Sequence, residues 1–257
     1  MLLRTVHQAP ELHGISRSRW RLADLQRVVP GLAQYSRSGV WRALRRLGVA
    51  RRRGRLSLHS PDPAYREKMA RVEAARAGAR QEPERVRLLY GDEFSLHRQP
   101  TLGPVYAARG QAPKAPLSHH SNTRHRVAGA LDVLDGRVIW AAGATMGVKG
   151  LRAFLGRLRA AYPGQEVVLV WDNWPVHYHP RVLARAAELE IAVLWLPTYA
   201  PWENPIEKLW RWIKQDLLHH HHLADRWAEL KARGAAFLDQ FAAGSADLLR
   251  YVGASPD

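Results

Sequence analysis

Val167-Val168-Leu169-Val170-Trp171-Asp172-Asn173 is an unbroken apolar run that stops on a carboxylate and an amide. A strand wet on one side alternates; this one does not, which predicts a central strand in a sheet covered on both faces. Working outward, it is followed by a helical pattern over Arg181 to Leu189, an apolar strand at Ile191 to Leu196, and a long helix from about Asn204 to Leu218. Before it lies a helix over Gly150 to Tyr162. Further upstream, Arg126 to Val133 and Arg137 to Ala142 read as two strands joined by Asp135-Gly136, a strong hairpin signal. Val86 to Tyr90 reads as a short buried strand leading into Gly91-Asp92-Glu93. Three strands, helix, strand, helix, strand, helix predict an α/β sandwich in which an antiparallel hairpin lies beside parallel strands.

The acids fall at telling places in that order. Asp92 is expected at the end of the first strand, Asp172 at the end of the fourth, and Glu207 in the first turn of the last long helix. Three carboxylates could then converge on one sheet edge, where open α/β sheets favour active sites. Packed anions raise one another's pKa unless a cation neutralises them. Hard oxygen donors select Mg²⁺ or Mn²⁺. A pair of such ions about 3.5 to 4 Å apart activates a water or a 3′-hydroxyl and stabilises the leaving oxygen in phosphoryl transfer. Each acid alone has an ordinary explanation as a cap or surface group. For Glu207 it is specific: Ile206, Leu209, Trp210, Ile213 and Leu217 form an apolar stripe, and Glu207 lies off it in the first turn, where the helix dipole favours a carboxylate. Pro197-Thr198-Tyr199-Ala200-Pro201 forms a stiff loop ahead of this helix, with Asn204 read as a cap and Pro205 at the first helical position.

Composition narrows the partner. The chain has 257 residues with 39 Lys and Arg against 23 Asp and Glu, a formal charge of +16. Residues 1–58 hold thirteen arginines against only Glu11 and Asp24, so +11 of that charge sits in the first quarter of the chain. A concentrated arginine field is the electrostatic footprint of a polyanion. Within it, Leu22, Leu25, Val28 and Val29 mark one helix, Pro30 and Gly31 break it, and Ser36 opens a second carrying Val40, Leu44 and Leu47 until Gly48. Two short helices around a tight turn suit a helix-turn-helix. Arg37, Arg42, Arg45 and Arg46 would face outward to double-stranded DNA, and Arg51, Arg52 and Arg53 would follow as a basic arm. The expected organisation is a DNA-binding arm over 1–59, a linker helix over 60–85, a catalytic domain over 86–225 and a helical tail over 226–257.

The chain contains no cysteine, which excludes disulfides, thiolate zinc sites, iron–sulfur clusters and a cysteine nucleophile. Its apolar runs fall well short of the roughly 18 residues of a membrane span, and Met1 to Pro10 lacks a signal-peptide core. The expectation is a soluble cytoplasmic protein. His219 to His222 is a run of four imidazoles at the expected end of the last helix; successive helical residues point in different directions, so a shared metal is not the reading. Most tryptophans read as core, with Trp202 a candidate for stacking on a base.

Asp172-Asn173-Trp174-Pro175-Val176-His177, followed by Leu196-Pro197-Thr198-Tyr199-Ala200-Pro201-Trp202-Glu203-Asn204-Pro205-Ile206-Glu207-Lys208-Leu209-Trp210, resembles the DDE-superfamily transposases of the mariner type and their bacterial insertion-sequence relatives. Thirty-four residues separate Asp172 from Glu207, the spacing of that group. Asp92-Glu93 and Tyr106 to Pro113 resemble its first catalytic strand and following loop, so the resemblance covers about 86–222. It implies an RNase H-like core, with Asp92, Asp172 and Glu207 as catalytic, metal-binding triad and Asn173, His177 and Asn204 as supporting motif residues. It further implies metal-dependent cleavage and joining of DNA at terminal inverted repeats by a homodimer working at the bacterial nucleoid. Tyr106 stands where Trp is usual, Ala200 where Ser is usual, and Glu203 is a minor rival for Glu207. One helix-turn-helix is read where relatives often carry two. The competing readings are a non-catalytic DNA-binding protein from an inactive element and a general RNase H-like nuclease.

Overall fold

Short amphipathic segments and one long alternating strand set the architecture. The computed structural model describes residues 1–52 and 59–255. The chain divides into two compact units, Met1–Ser57 and Leu58–Asp257. Arg53, expected to contact DNA, lies outside the described residues.

The first unit contains α1 (Leu2–Val6), a 3₁₀ turn at Pro10–His13, α2 (Leu22–Val28) and α3 (Arg37–Arg46). Its core is Leu2, Leu25, Val29, Val40 and Leu44. Ser36 caps α3, its hydroxyl accepting from the Gly39 N–H at 3.1 Å. Gly31 and Gly48, at φ of 82° and 74°, make the turn before α3 and the stop after it. Only glycine enters that region cheaply. Buried Asp24 closes the start of α2, accepting from the Arg21 N–H at 3.1 Å and pairing with Arg17 at 2.8 Å. The two-helix unit is therefore present, with α1 and the 3₁₀ turn as additions the charge-rich sequence did not announce.

The second unit runs α4 (Tyr65–Gln81), β1 (Val86–His97), β2 (Arg124–Asp132), β3 (Val138–Gly143), α5 (Val148–Ala161), β4 (Glu166–Trp171), α6 (Pro180–Glu188), β5 (Ile191–Trp195), α7 (Ile206–Ile213), a π turn at Lys214–Leu218, α8 (Trp227–Asp239) and α9 (Ala246–Val252). The sheet order is β3-β2-β1-β4-β5. β1 is antiparallel to β2 and parallel to β4; β5 is parallel to β4 and β3 antiparallel to β2. This is the mixed, RNase H-like sheet that was expected; β4 is interior, between β1 and β5, and β1 holds the middle position.

One expectation is corrected. β1 does not stop near Tyr90 but continues through Asp92 to His97, because its ladder with β2 goes on after β4 has ended. Successive residues of a strand face opposite sides. Leu88, Tyr90 and Phe94 enter one core with Val72 of α4 and Leu209 of α7, whereas Leu89 enters the other with Phe154 of α5 and Val182 of α6. Asp92 thus lies on the α7 side and Glu93 on the α6 side. α8 and α9 contribute Leu230, Leu238, Leu248 and Leu249 to the first core. No described helix is long and apolar enough to cross a membrane.

Candidate active site

Register brings the first two acids together. Tyr90 of β1 pairs with Val170 of β4, so two residues further on Asp92 and Asp172 stand level where the parallel pairing runs out. Glu207 arrives from the first turn of α7. The expected Asn204 cap does not form: Pro205 is the N-cap, and the Asn204 side chain donates to the Gly91 carbonyl at 3.0 Å. That bond ties the start of α7 to β1 beside Asp92. The Asn204 Oδ1 is buried without a hydrogen-bond partner.

Each aspartate has its own protein donor. Trp210 of α7 donates from Nε1 to Asp92 Oδ2 at 3.0 Å and stacks on Phe94 at 5.4 Å. Its ring reaches β1 because Gly129 of β2 has no side chain; a Cβ there would stand 2.6 Å from Trp210 Cη2. Asp172 Oδ1 accepts from the Trp174 N–H at 3.0 Å and from His177 Nδ1 at 2.9 Å. The supporting motif residues brace this end of β4. Asn173 donates to the Leu196 carbonyl at 2.7 Å and accepts from the Tyr178 hydroxyl at 2.6 Å, while Tyr178 stacks on Trp195 at 4.1 Å. His177 is wholly buried.

Asp92, Asp172 and Glu207 all line one cavity of about 520 Å³, with Trp174 and Tyr199 also in its wall. Tyr199 sits at φ 54°, a strained setting for a bulky residue, and its ring is exposed. A second cavity of about 390 Å³ shares Asp92 and Glu207 and adds Lys214, His97 and His219. Lys214 follows Glu207 by two helical turns. Glu203, the minor rival, instead accepts from the Tyr65 hydroxyl at 2.5 Å and is absent from the wall of the triad's cavity.

The electrostatics separate the acids. Burial, reinforced by Glu207, Glu93 and Asp172, pushes the Asp92 carboxyl well above its usual range. Glu207 is raised by burial against the opposing charge of Lys214. Burial works on Asp172 too, yet the hydrogen bonds from His177 and Trp174 outweigh it and hold that carboxyl low. His177 is raised to about 9: burial opposes its charge, and its bonds to Asp172 and Glu93 more than offset that.

Among the described residues, no three Asp, Glu or His side chains are gathered tightly enough to enclose one ion. What the cavity offers is an open wall of three carboxylates, two of them resisting ionisation. Such an all-oxygen donor set fits a hard divalent cation. Asp172 is half exposed, and both of its protein donors, His177 and the Trp174 N–H, fall on Oδ1.

The other sequence-marked residues lie elsewhere. Arg37, Arg42, Arg45, Arg46, Arg51 and Arg52 are all exposed on the first unit, with Arg45 over the Trp41 ring at 5.2 Å. The histidine run is not helical: the π turn ends at Leu218, His219 is extended and His220 has φ 54°. His219 and His220 bind Thr101 and Gly103, fastening the chain that leaves β1. From sequence, Trp210 counts only as a stripe residue, Glu93 only as the neighbour of Asp92 in the motif, and Lys214 as neither. The acidic neighbour of Asp92 and the seven-residue spacing from Glu207 to Lys214 were the available signals.

The DDE superfamily endonuclease family model matches residues 87–231. The chain is 28% identical over 235 residues to the insertion element IS630 uncharacterized 39 kDa protein of Shigella sonnei, covering 90% of this chain and 67% of that one. Among solved structures, the Mos1 transposase paired-end complex with left transposon end superposes with a TM-score of 0.61 at 18% identity, covering 94% of this chain and 77% of its own. The Mos1 mariner paired-end complex with Mn gives 0.61 at 17% identity with the same coverage. At these identities the structural likeness is one of fold.

Proposed function

The chain belongs to the DDE superfamily endonucleases, and from that membership we propose that it is a DNA transposase, cutting and joining strands at the terminal inverted repeats of a mobile element. The observation that carries this reading is the meeting of Asp92, Asp172 and Glu207, from β1, the end of β4 and α7, on the wall of one cavity. We assign these three as the ligands of Mg²⁺ or Mn²⁺, a pair of ions in all. Bound there, the metal supplies activation of the attacking water or 3′-hydroxyl and stabilises the leaving oxygen.

The chain's own residues do the rest. Lys214 places a positive charge beside Glu207 in the second cavity, where a neighbouring phosphate of the scissile strand would lie. Trp174 and Tyr199 offer ring faces to an unstacked base. Trp210 and His177 hold the aspartates in place. Arg37, Arg42, Arg45, Arg46, Arg51, Arg52 and Arg53 grip phosphates from an arm over 1–59, joined by the linker (60–85) to the catalytic domain (86–225) and tail (226–257). Two element ends must be held at once, so the working form is a homodimer on bacterial nucleoid DNA.

The test is cleavage of inverted-repeat DNA with Mg²⁺, paired with a gel shift. Asp92→Asn, Asp172→Asn and Glu207→Gln should each abolish strand breaks while the shift persists. Undiminished cleavage by Asp172→Asn sinks the assignment.

A further inference from the structure

His177 is wholly buried between two carboxylates, one on β1 and one just past the end of β4. Its Nε2 stands 3.0 and 3.1 Å from the two oxygens of Glu93. Its Nδ1 stands 2.9 Å from Asp172 Oδ1 and 3.2 Å from the Asp172 carbonyl. Carboxylate and carbonyl oxygens only accept, so both ring nitrogens donate. One ring face lies on Trp171 at 3.8 Å between centroids, and the edge of Trp174 closes in at 5.4 Å. Stacking alone would let the ring rotate in its plane. Glu93, only 9% exposed, removes that freedom by fixing Nε2.

The consequence reaches the cavity. Both bonds to the Asp172 side chain, from His177 and from the Trp174 N–H, fall on Oδ1. Oδ2 is left for whatever occupies the cavity that Asp172 lines. Strand alternation makes the arrangement possible, since Asp92 faces α7 while Glu93, the next residue, faces the opposite side and meets His177 there.

We propose that Glu93 and His177 are positioning residues: Glu93 orients the imidazole, the imidazole engages Asp172 Oδ1, and Asp172 Oδ2 is thereby presented to a divalent cation. This rests on the reading of Asp172 as a metal ligand. Partners of this kind, one step removed from the metal, change affinity by roughly 10- to 100-fold when removed.

The experiment is a Mn²⁺ titration of the full chain, following free Mn²⁺ by electron paramagnetic resonance, with thermal unfolding measured alongside. Glu93→Ala should weaken Mn²⁺ binding at least about tenfold with a native unfolding profile. Glu93→Gln removes the same charge but keeps a hydrogen-bonding end on the imidazole, and should recover most of the affinity. Equal losses in the two variants would mean that Glu93 acts through charge alone, and no loss in either would mean it does nothing for the metal; both results overturn the proposal. If Glu93→Ala does not fold, Glu93→Met, which fills the space without a polar end, takes its place in the comparison. Asp172→Asn is the control on the underlying reading. If it binds Mn²⁺ like the parent chain, the ligand assignment has failed, a result distinct from failure of the positioning pair.

Discussion

Asp92 and Asp172 are chemically identical and stand level on adjacent strands, yet one carboxyl is pushed up and the other held down. Burial and the neighbouring acids Glu207 and Glu93 raise Asp92, whereas at Asp172 the hydrogen bonds from the His177 imidazole and the Trp174 N–H outweigh burial. Trp210→Phe, which removes only the indole donor and some ring volume, should cost about 1 kcal/mol of stability. Cleavage should fall further than that loss implies, because Asp92 is no longer oriented; comparing urea midpoints with turnover rates checks this. Arginines of the first unit act differently. Arg46→Ala should weaken DNA binding to any sequence alike and lower the slope of log affinity against log salt by about 1. Gel shifts across a salt series measure it, and an unchanged slope would remove Arg46 from the contact surface. The three acids were visible in the sequence because Asp92 and Asp172 end apolar runs and Glu207 lies off the apolar stripe within the motif. Trp210 was not, since a stripe residue reads as core and its single polar atom finds Asp92 only once α7 is laid on the sheet.

At the level of elements, α7 packs tightly on β2. Gly129 permits it, because its missing side chain leaves room for the Trp210 ring against the strand. Gly129→Ala should displace that ring, lower stability by roughly 1 to 3 kcal/mol as overpacking does, and reduce cleavage through Asp92. A variant with native stability and native activity would contradict this. Element order was legible because period-2 and period-3.6 patterns are local, and boundaries mostly fell within two residues. The end of β1 was not legible. The acidic pair Asp92-Glu93 looks like a strand terminus, and pairing with a strand more than thirty residues later keeps it extended. Likewise Asn204 has the chemistry of a cap, but the Gly91 carbonyl, brought near by the sheet, takes its side chain instead.

For the folded unit as a whole, one buried group couples stability to pH. Asp132, fully buried at the end of β2, is raised to about 6, chiefly by burial and then by Asp135, with Arg87 at 3.4 Å too weak an offset. A carboxyl raised on folding favours the protonated native state. Its contribution is therefore complete below the unfolded value near 4 and is lost as pH rises through about 6. The amount is at most about 3 kcal/mol. Asp132→Asn, which can keep the bond to the Leu134 N–H, should flatten the fall in urea midpoint between pH 4 and 7 relative to the parent chain. Parallel pH profiles for the two would exclude Asp132 as its source.

The sequence by itself determined the class of sheet, the basic first unit with its two helices, the three acids and the family resemblance. All of these rest on residues near one another in the chain, where periodicity, capping and composition act. Only the tertiary structure decided that Glu93 meets Asp172 through His177, that Trp210 holds Asp92, and that Glu203 is drawn away to Tyr65. Apart from the local bond between His177 and Asp172, those contacts join residues dozens of positions apart. Their geometry depends on strand register and on which face each side chain takes, and a one-residue slip would reverse both.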